Sequence, residues 1–198
     1  MTDVVVGAPV RERLLDAAQD VIERSGWSSV TMAGVADIAG VSRQTVYNEF
    51  GTKHGLAQHL VLRELDRFLA VVRDRMAEQP DVVSGIRSAC EGVLVMGEHS
   101  LIVRTIVGAQ PDEHDTDLLQ LLTTESGEII DSAVLVVMHC IVEFYPPLPF
   151  TDVELDVAIE SVVRLVLSAI TRPSKPPREA AADIAWIVDL VLKGATGR

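Results

Sequence analysis

A helical period runs through nearly every long segment of this 198-residue chain, and no stretch alternates apolar and polar residues as a half-buried strand would. That pattern restricts the fold to the all-α class. Glycine and proline supply the punctuation. A first helix is expected over 10–25, with Leu14, Ala17, Ala18, Val21 and Ile22 on one face and Gly26 as its stop. Thr31 can cap a short second helix whose inner face is Met32, Val35, Ala36 and Ala39, and Gly40 ends it. Ser42 can cap a third helix that runs to Phe50. After Gly51 and Thr52 a long fourth helix is expected over 53–79, with Leu65, Leu69, Val72 and Met76 on a stripe and Pro80 closing it. Further helices are expected at 82–97, 101–109, 117–142, 152–171 and 178–192, about nine in all. The proline-bearing breaks QPD, QPDEHD, FYPPLPF and RPSKPP separate them. The fourth helix then reads as a rigid connector between a small N-terminal domain, residues 1–52, and a larger one, residues 53–198.

Composition bounds what these helices can do. Hydrophobic residues make up 48% of the chain and the mean hydropathy is +0.27, which supports a sizeable core. Aromatics are only 4%, so that core is mostly Val, Leu, Ile and Ala. A net charge of -12 opposes nucleic-acid binding for the chain as a whole. The charge is unevenly placed, however. Residues 1–60 hold five Lys and Arg against seven Asp and Glu, a balance of -2, and the other 138 residues carry the remaining -10. Cys90 and Cys140 sit in apolar segments without CxxC spacing and read as buried reduced thiols. No signal peptide is apparent, and the longest apolar run, 133–142, is about half of the roughly 20 residues a membrane span needs. The expected setting is cytoplasmic, with no membrane partner.

The two short helices joined by Ala39-Gly40-Val41-Ser42 have the form of a helix-turn-helix. In that motif the second helix lies in the DNA major groove, about 12 Å wide, where only a slim helix with a polar face fits. Val46 and Phe50 can face the supporting helices, which turns Arg43, Gln44, Tyr47 and Asn48 the other way. Arg43 offers a fork that matches guanine O6 and N7; Gln44 and Asn48 carry the amides that suit adenine. Tyr47 can reach a phosphate. Lys53 and Thr31, each at a helix start, can add phosphate contacts beside backbone N–H groups.

The run SSVTMAGVADIAGVSRQTVYNEFGTKHGL resembles the N-terminal DNA-binding domain of the TetR family of bacterial repressors. The matching residues are Thr31, Ala39-Gly40-Val41-Ser42, Thr45-Val46-Tyr47, Phe50, Lys53 and Leu56, within a similarity spanning roughly 14–60. The resemblance implies a DNA-binding set of Thr31, Ser42, Arg43, Gln44, Thr45, Tyr47, Asn48 and Lys53. Two positions depart from the family pattern. Glu49 stands where an aromatic residue or histidine is frequent, and it can pair with Arg43 or Lys53 or point off the duplex. Gly55 replaces a common acidic residue and is expected to loosen the start of the fourth helix.

The resemblance also implies that residues from about 80 onward bind a small ligand and dimerise. The middle helices supply branched aliphatics suited to an extended apolar effector such as a fatty acyl chain or a sterol-like compound, with His99, Arg104, Met138, His139 and Glu143 as candidate ligand contacts. The last two helices are apolar on more than one face. A second chain packed on them as a four-helix bundle would cover Ile159, Val163, Leu167, Trp186 and Val188. Such a homodimer would carry two reading heads suited to a palindromic operator in double-stranded DNA. The acidic stretch Asp112-Glu113-His114-Asp115 reads as a solvated turn rather than a metal site, and His139 beside Cys140 lacks ligand spacing, so no metal or cofactor is expected. Neither a G-x-S-x-G elbow, a phosphate-cradling glycine loop nor an H-E-x-x-H pair is present, which opposes an enzyme. The expected activity is repression, relieved when the effector tilts the fourth helix. The rival reading is an all-helical carrier or scaffold for apolar ligands that leaves DNA untouched.

Overall fold

A computed structural model describes residues 9–108 and 126–197, and among them there are nine α-helices and no strand. The first helix, α1 (Val10–Ser25), buries Leu14, Leu15, Ala17, Ala18 and Ile22 on one face. Gly26, at φ 77°, ends it, and a single 3₁₀ turn (Trp27–Ser29) then drops Trp27 into the core. Helix α2 (Met32–Ala39) begins on Thr31, whose hydroxyl accepts from the Gly34 N–H at 3.0 Å. It closes on Gly40, in the left-handed conformation that glycine adopts without a Cβ clash. Helix α3 (Arg43–Phe50) begins on Ser42, which accepts from the Thr45 N–H at 3.1 Å.

Helix α4 (Lys53–Ala77) is 25 residues long, or about 37 Å at 1.5 Å per residue. Its first half gives Leu56, Ala57, Leu60 and Val61 to the core of the small head; Phe68 and Met76 belong to the cores of the body. The body continues with α5 (Val82–His99), α6 (Leu101–Gly108), α7 (Gly127–Phe144), α8 (Asp152–Thr171) and α9 (Pro177–Thr196). Helix α5 packs between α4 and α9, and α7 crosses both α4 and α8. Asp81 caps α5, a Thr151–Glu154 capping box starts α8, and Pro177 opens α9 where its missing N–H is harmless.

Most helix limits fall within two residues of those expected from sequence. Two differ more. The helix expected over 117–142 starts at Gly127, after Ser126, and ends at Phe144; residues 117–125, with Leu118, Leu122 and the acidic 112–115 stretch, lie outside the described residues. The last helix runs on to Thr196, four residues past the expected stop, because Lys193 and Gly194 continue it without a proline to end it. Among the described residues, no helix is long and apolar enough to cross a membrane.

Candidate nucleic-acid interface and effector cavity

Helix α3 has one side sealed into the head. Val46 is fully buried and Phe50 nearly so, packed with Leu14, Trp27, Val35 and Leu56. Ser42, Arg43, Gln44, Tyr47 and Asn48 are exposed on the other side, while Thr45 is half-buried. The Ser42 and Thr45 hydroxyls lie 2.9 Å apart, so the two share a hydrogen bond at the helix start. The Gln44 Nε2 donates to Asn48 Oδ1 at 2.8 Å, one turn along. This contact keeps the Gln44 Oε1 acceptor and the Asn48 Nδ2 donor available for a base edge. That pair complements adenine N7 and N6 in the major groove.

Three residues around α3 have contacts that the sequence did not show, and each has a physical reason. Lys53 is half-buried: its Nζ donates to the Trp27 carbonyl at 3.0 Å and sits 4.7 Å from the centroid of the Trp27 ring. The ammonium thus holds the 3₁₀ turn against α4. Glu49 pairs with neither Arg43 nor Lys53 but with Arg11 of α1, whose Nε lies 3.0 Å from its carboxylate. Gly55 does not loosen α4. A Cβ there would lie 2.1 Å from the Phe50 carbonyl oxygen, so glycine is what lets α4 start so close to the end of α3.

Arginines that sequence reading did not single out brace the head. Arg13 Nη2 donates to the Ala39 carbonyl at 2.7 Å, satisfying the exposed end of α2. Arg63 of α4 reaches back to α1, donating to Asp16 at 2.7 Å, Glu12 at 3.3 Å and Gln19 at 2.5 Å. No local pattern links positions 26 to 51 residues apart.

Behind the head, α4, α5, α6, α7 and α8 border a half-open apolar cavity of about 140 Å³. Phe68, Val93, Val137, Val166 and Leu167 are typical of its wall. Val61 and Ile102 are on that wall and are also buried members of the head's core. Cys90 lies there too, and burial pushes its thiol up to about 12, so it stays protonated at neutral pH. Glu64 is the charged side chain at the wall. It is buried, accepting from Ser100 Oγ at 2.5 Å and from Arg67 Nη1 at 3.2 Å. The i, i+4 series Leu60, Glu64, Phe68 sets a carboxylate within an apolar stripe, and that was the signal for it in the sequence.

The profile of bacterial regulatory proteins of the tetR family matches residues 14–60, and that of the bacterial tetracyclin repressor C-terminal domain matches 81–189, more than half of the chain. The chain belongs to the TetR family. A relative, the HTH-type transcriptional regulator AlkX of Mycobacterium tuberculosis, is 32% identical over 181 residues, 91% of this chain and 84% of its own. The crystal structure of the TetR family repressor AlkX from Dietzia sp., implicated in biodegradation of n-alkanes, superposes with a TM-score of 0.76 at 29% identity, covering 92% of this chain and 97% of that one. A shorter match, 32% over 89 residues, is to the HTH-type transcriptional activator FasR of Mycolicibacterium smegmatis; it spans 45% of this chain and 41% of that protein. The protein is a TetR-family, DNA-binding transcriptional regulator with a helix-turn-helix.

In this TetR-family body the polar residues expected near the ligand do not line the apolar cavity. His99 is exposed and bonds the Val95 carbonyl at 2.9 Å; His139 and Glu143 are exposed and pair at 3.3 Å, with Arg73 3.9 Å from the same carboxylate. Met138 is half-buried in the body's core, and Arg104 lines a separate cleft. The expected dimer residues divide as well. Ile159, 4% exposed, is in the core, Val163 and Leu167 line the cavity, and Val188 is partly buried. Trp186 is 62% exposed and stands beside Ile187, Leu190 and Val191 on α9; across from them Val153, Val157 and Leu165 are exposed on α8.

Proposed function

We propose that this regulator is a cytoplasmic repressor that binds a palindromic operator as a homodimer and is released by a small apolar effector. The head, residues 1–52, packed on the first turns of α4, reads DNA; the body, residues 53–198, holds the effector and pairs the two chains. Arg43, Gln44 and Asn48 make the base contacts, with Ser42, Thr45, Tyr47 and Thr31 at the backbone. The exposed apolar strip of α8 and α9 supplies the dimer interface, with Trp186 as an anchor.

The observation that carries this reading is the shared wall. Val61 and Ile102 are packed in the head's core and also border the cavity, so an occupant that displaces either one disturbs the platform beneath α3. A carrier needs the cavity but has no use for that link, nor for an exposed row of Arg43, Gln44, Tyr47 and Asn48. Repression rather than activation is favoured by the AlkX structure, named a repressor and similar over nearly the full length. Its stated connection to n-alkane biodegradation agrees with an aliphatic lining.

Three measurements test the proposal. The purified chain should retard a duplex from upstream of its own gene, with affinity falling as salt rises. Arg43→Ala should relax base preference and cost about 1–3 kcal/mol at the preferred site. An unchanged preferred sequence would assign base reading elsewhere. The release mechanism requires the effector to bind free and DNA-bound protein with different affinity; equal affinities would end it.

A further inference from the structure

The apolar cavity has a neighbour. A cleft of about 450 Å³ lies between the ends of α5 and α8, the start of α9 and α6; Val103 and Ile170 line both it and the cavity. The two spaces differ in chemistry. Glu64, the charged side chain of the first, has both carboxylate oxygens engaged by Ser100 and Arg67. A polar head group placed there would be buried without an open partner, which disfavours it strongly. The cleft, by contrast, is lined by Glu98, Arg104, Ser174 and Lys175. Size points the same way. An apolar hole of about 150 Å³ accommodates benzene, so a cavity of about 140 Å³ has room for about six carbons. A longer chain has to extend beyond it.

Resting on the reading of the cavity as the effector site, we propose that cavity and cleft form one bipartite site for a single-chain amphiphile with a carboxylate head. The alkyl chain passes between Val103 and Ile170 into the cavity, and the head stays in the cleft on Arg104. The Lys175 ammonium is already hydrogen-bonded to Asp183, and Glu98 repels an anion. Arg104 has no ion-pair partner among the described residues, and its planar fork matches a carboxylate. Three successive residues of α6 then divide the work: Arg104 holds the head group, Val103 borders the chain, and Ile102 reaches the core beneath the DNA-reading helix.

Calorimetric titration of the full chain with decanoate and with decanol, both below their micellar concentrations, tests this. The wild type should bind both, with decanoate about fivefold tighter at low ionic strength and the preference fading in high salt. Arg104→Gln, at an exposed position, should abolish the preference and leave decanol affinity unchanged; Lys175→Gln should leave the preference in place. Equal binding of the two ligands by the wild type, or equal weakening of both by Arg104→Gln, would overturn the bipartite site while leaving the cavity reading intact. Failure of both ligands to bind would overturn the cavity reading along with it.

Discussion

The head and the body draw on the same aliphatic residues and pack them to different ends. In the head, Leu14, Val35, Val46 and Leu56 are fully buried around Trp27, with no described cavity among them alone. In the body, five helices stand around a hole, and Val163, Leu167, Val166 and Ile170 remain half-buried at its edge. Close packing makes the head one rigid platform for α3, since interiors at native density transmit displacement rather than absorb it. The body has space to take an occupant. Val61 and Ile102, common to both, are where a change in the loose region can become a shift of the tight one.

The contrast is broken most sharply by one substitution made in each region. Leu14→Ala should cost about 2–5 kcal/mol, because the solid core cannot collapse into the void it creates. Leu167→Ala should cost about 1 kcal/mol, since a half-buried side chain beside an existing cavity loses only part of its transfer energy. Urea denaturation at one fixed protein concentration compares the two. Equal losses would mean that the cavity wall is packed as tightly as the head, and the argument for a yielding body would fail.

A smaller effect tests whether the body's helices are anchored at their starts as firmly as the head's. Asp81 accepts from the Ser84 N–H at 2.9 Å and from the Ser84 hydroxyl at 2.8 Å, and these bonds hold its carboxyl below the usual 3.8. A depressed carboxylate stabilises the fold fully above its unfolded value of 3.8, and that contribution is lost as pH falls through the lower folded value. Asp81→Ala should therefore cost about 1 kcal/mol at pH 6, and the gap between wild type and variant, followed by thermal melting, should narrow as pH falls below 3.8. A gap that persists in acid would assign the loss to something other than the charged cap.

The head was legible in the sequence because its signals are local. Thr31, Gly40 and Ser42 announce their roles within four residues, and the polar face of α3 follows from the spacing of Val46 and Phe50. What sequence could not supply were partners distant along the chain: Glu49 with Arg11, Arg63 with Asp16, Lys53 with the Trp27 carbonyl. Gly55 misleads for a related reason, since its purpose is a close approach to Phe50 that only the folded backbone reveals. The body was legible as helices but not as faces. Helices α8 and α9 carry more apolar residues than one inward face can hold, set beside charged rows such as Asp156, Glu160 and Arg164, so the pattern does not tell which apolar residues turn inward; Ile159, Val163 and Leu167 do, while Val153, 74% exposed, does not. A cavity is harder still, because it belongs to no single segment.

Lys53 gives the finest test, since it asks whether a cation at the DNA side of the head serves the duplex or the platform. Its ammonium already has a carbonyl acceptor and an aromatic face, and the Trp27 indole N–H beneath has no hydrogen-bond partner among the described residues. A phosphate would have to compete with both contacts. Lys53→Ala should thus lower stability by about 0.5 kcal/mol through the lost cation–π contact, and leave the slope of log affinity against log salt unchanged. A phosphate contact behaves oppositely: its removal reduces that slope by about 0.9 with little change in melting. Measured together, the melt and the salt series separate the two roles, and a reduced slope would move Lys53 from the platform to the reading surface.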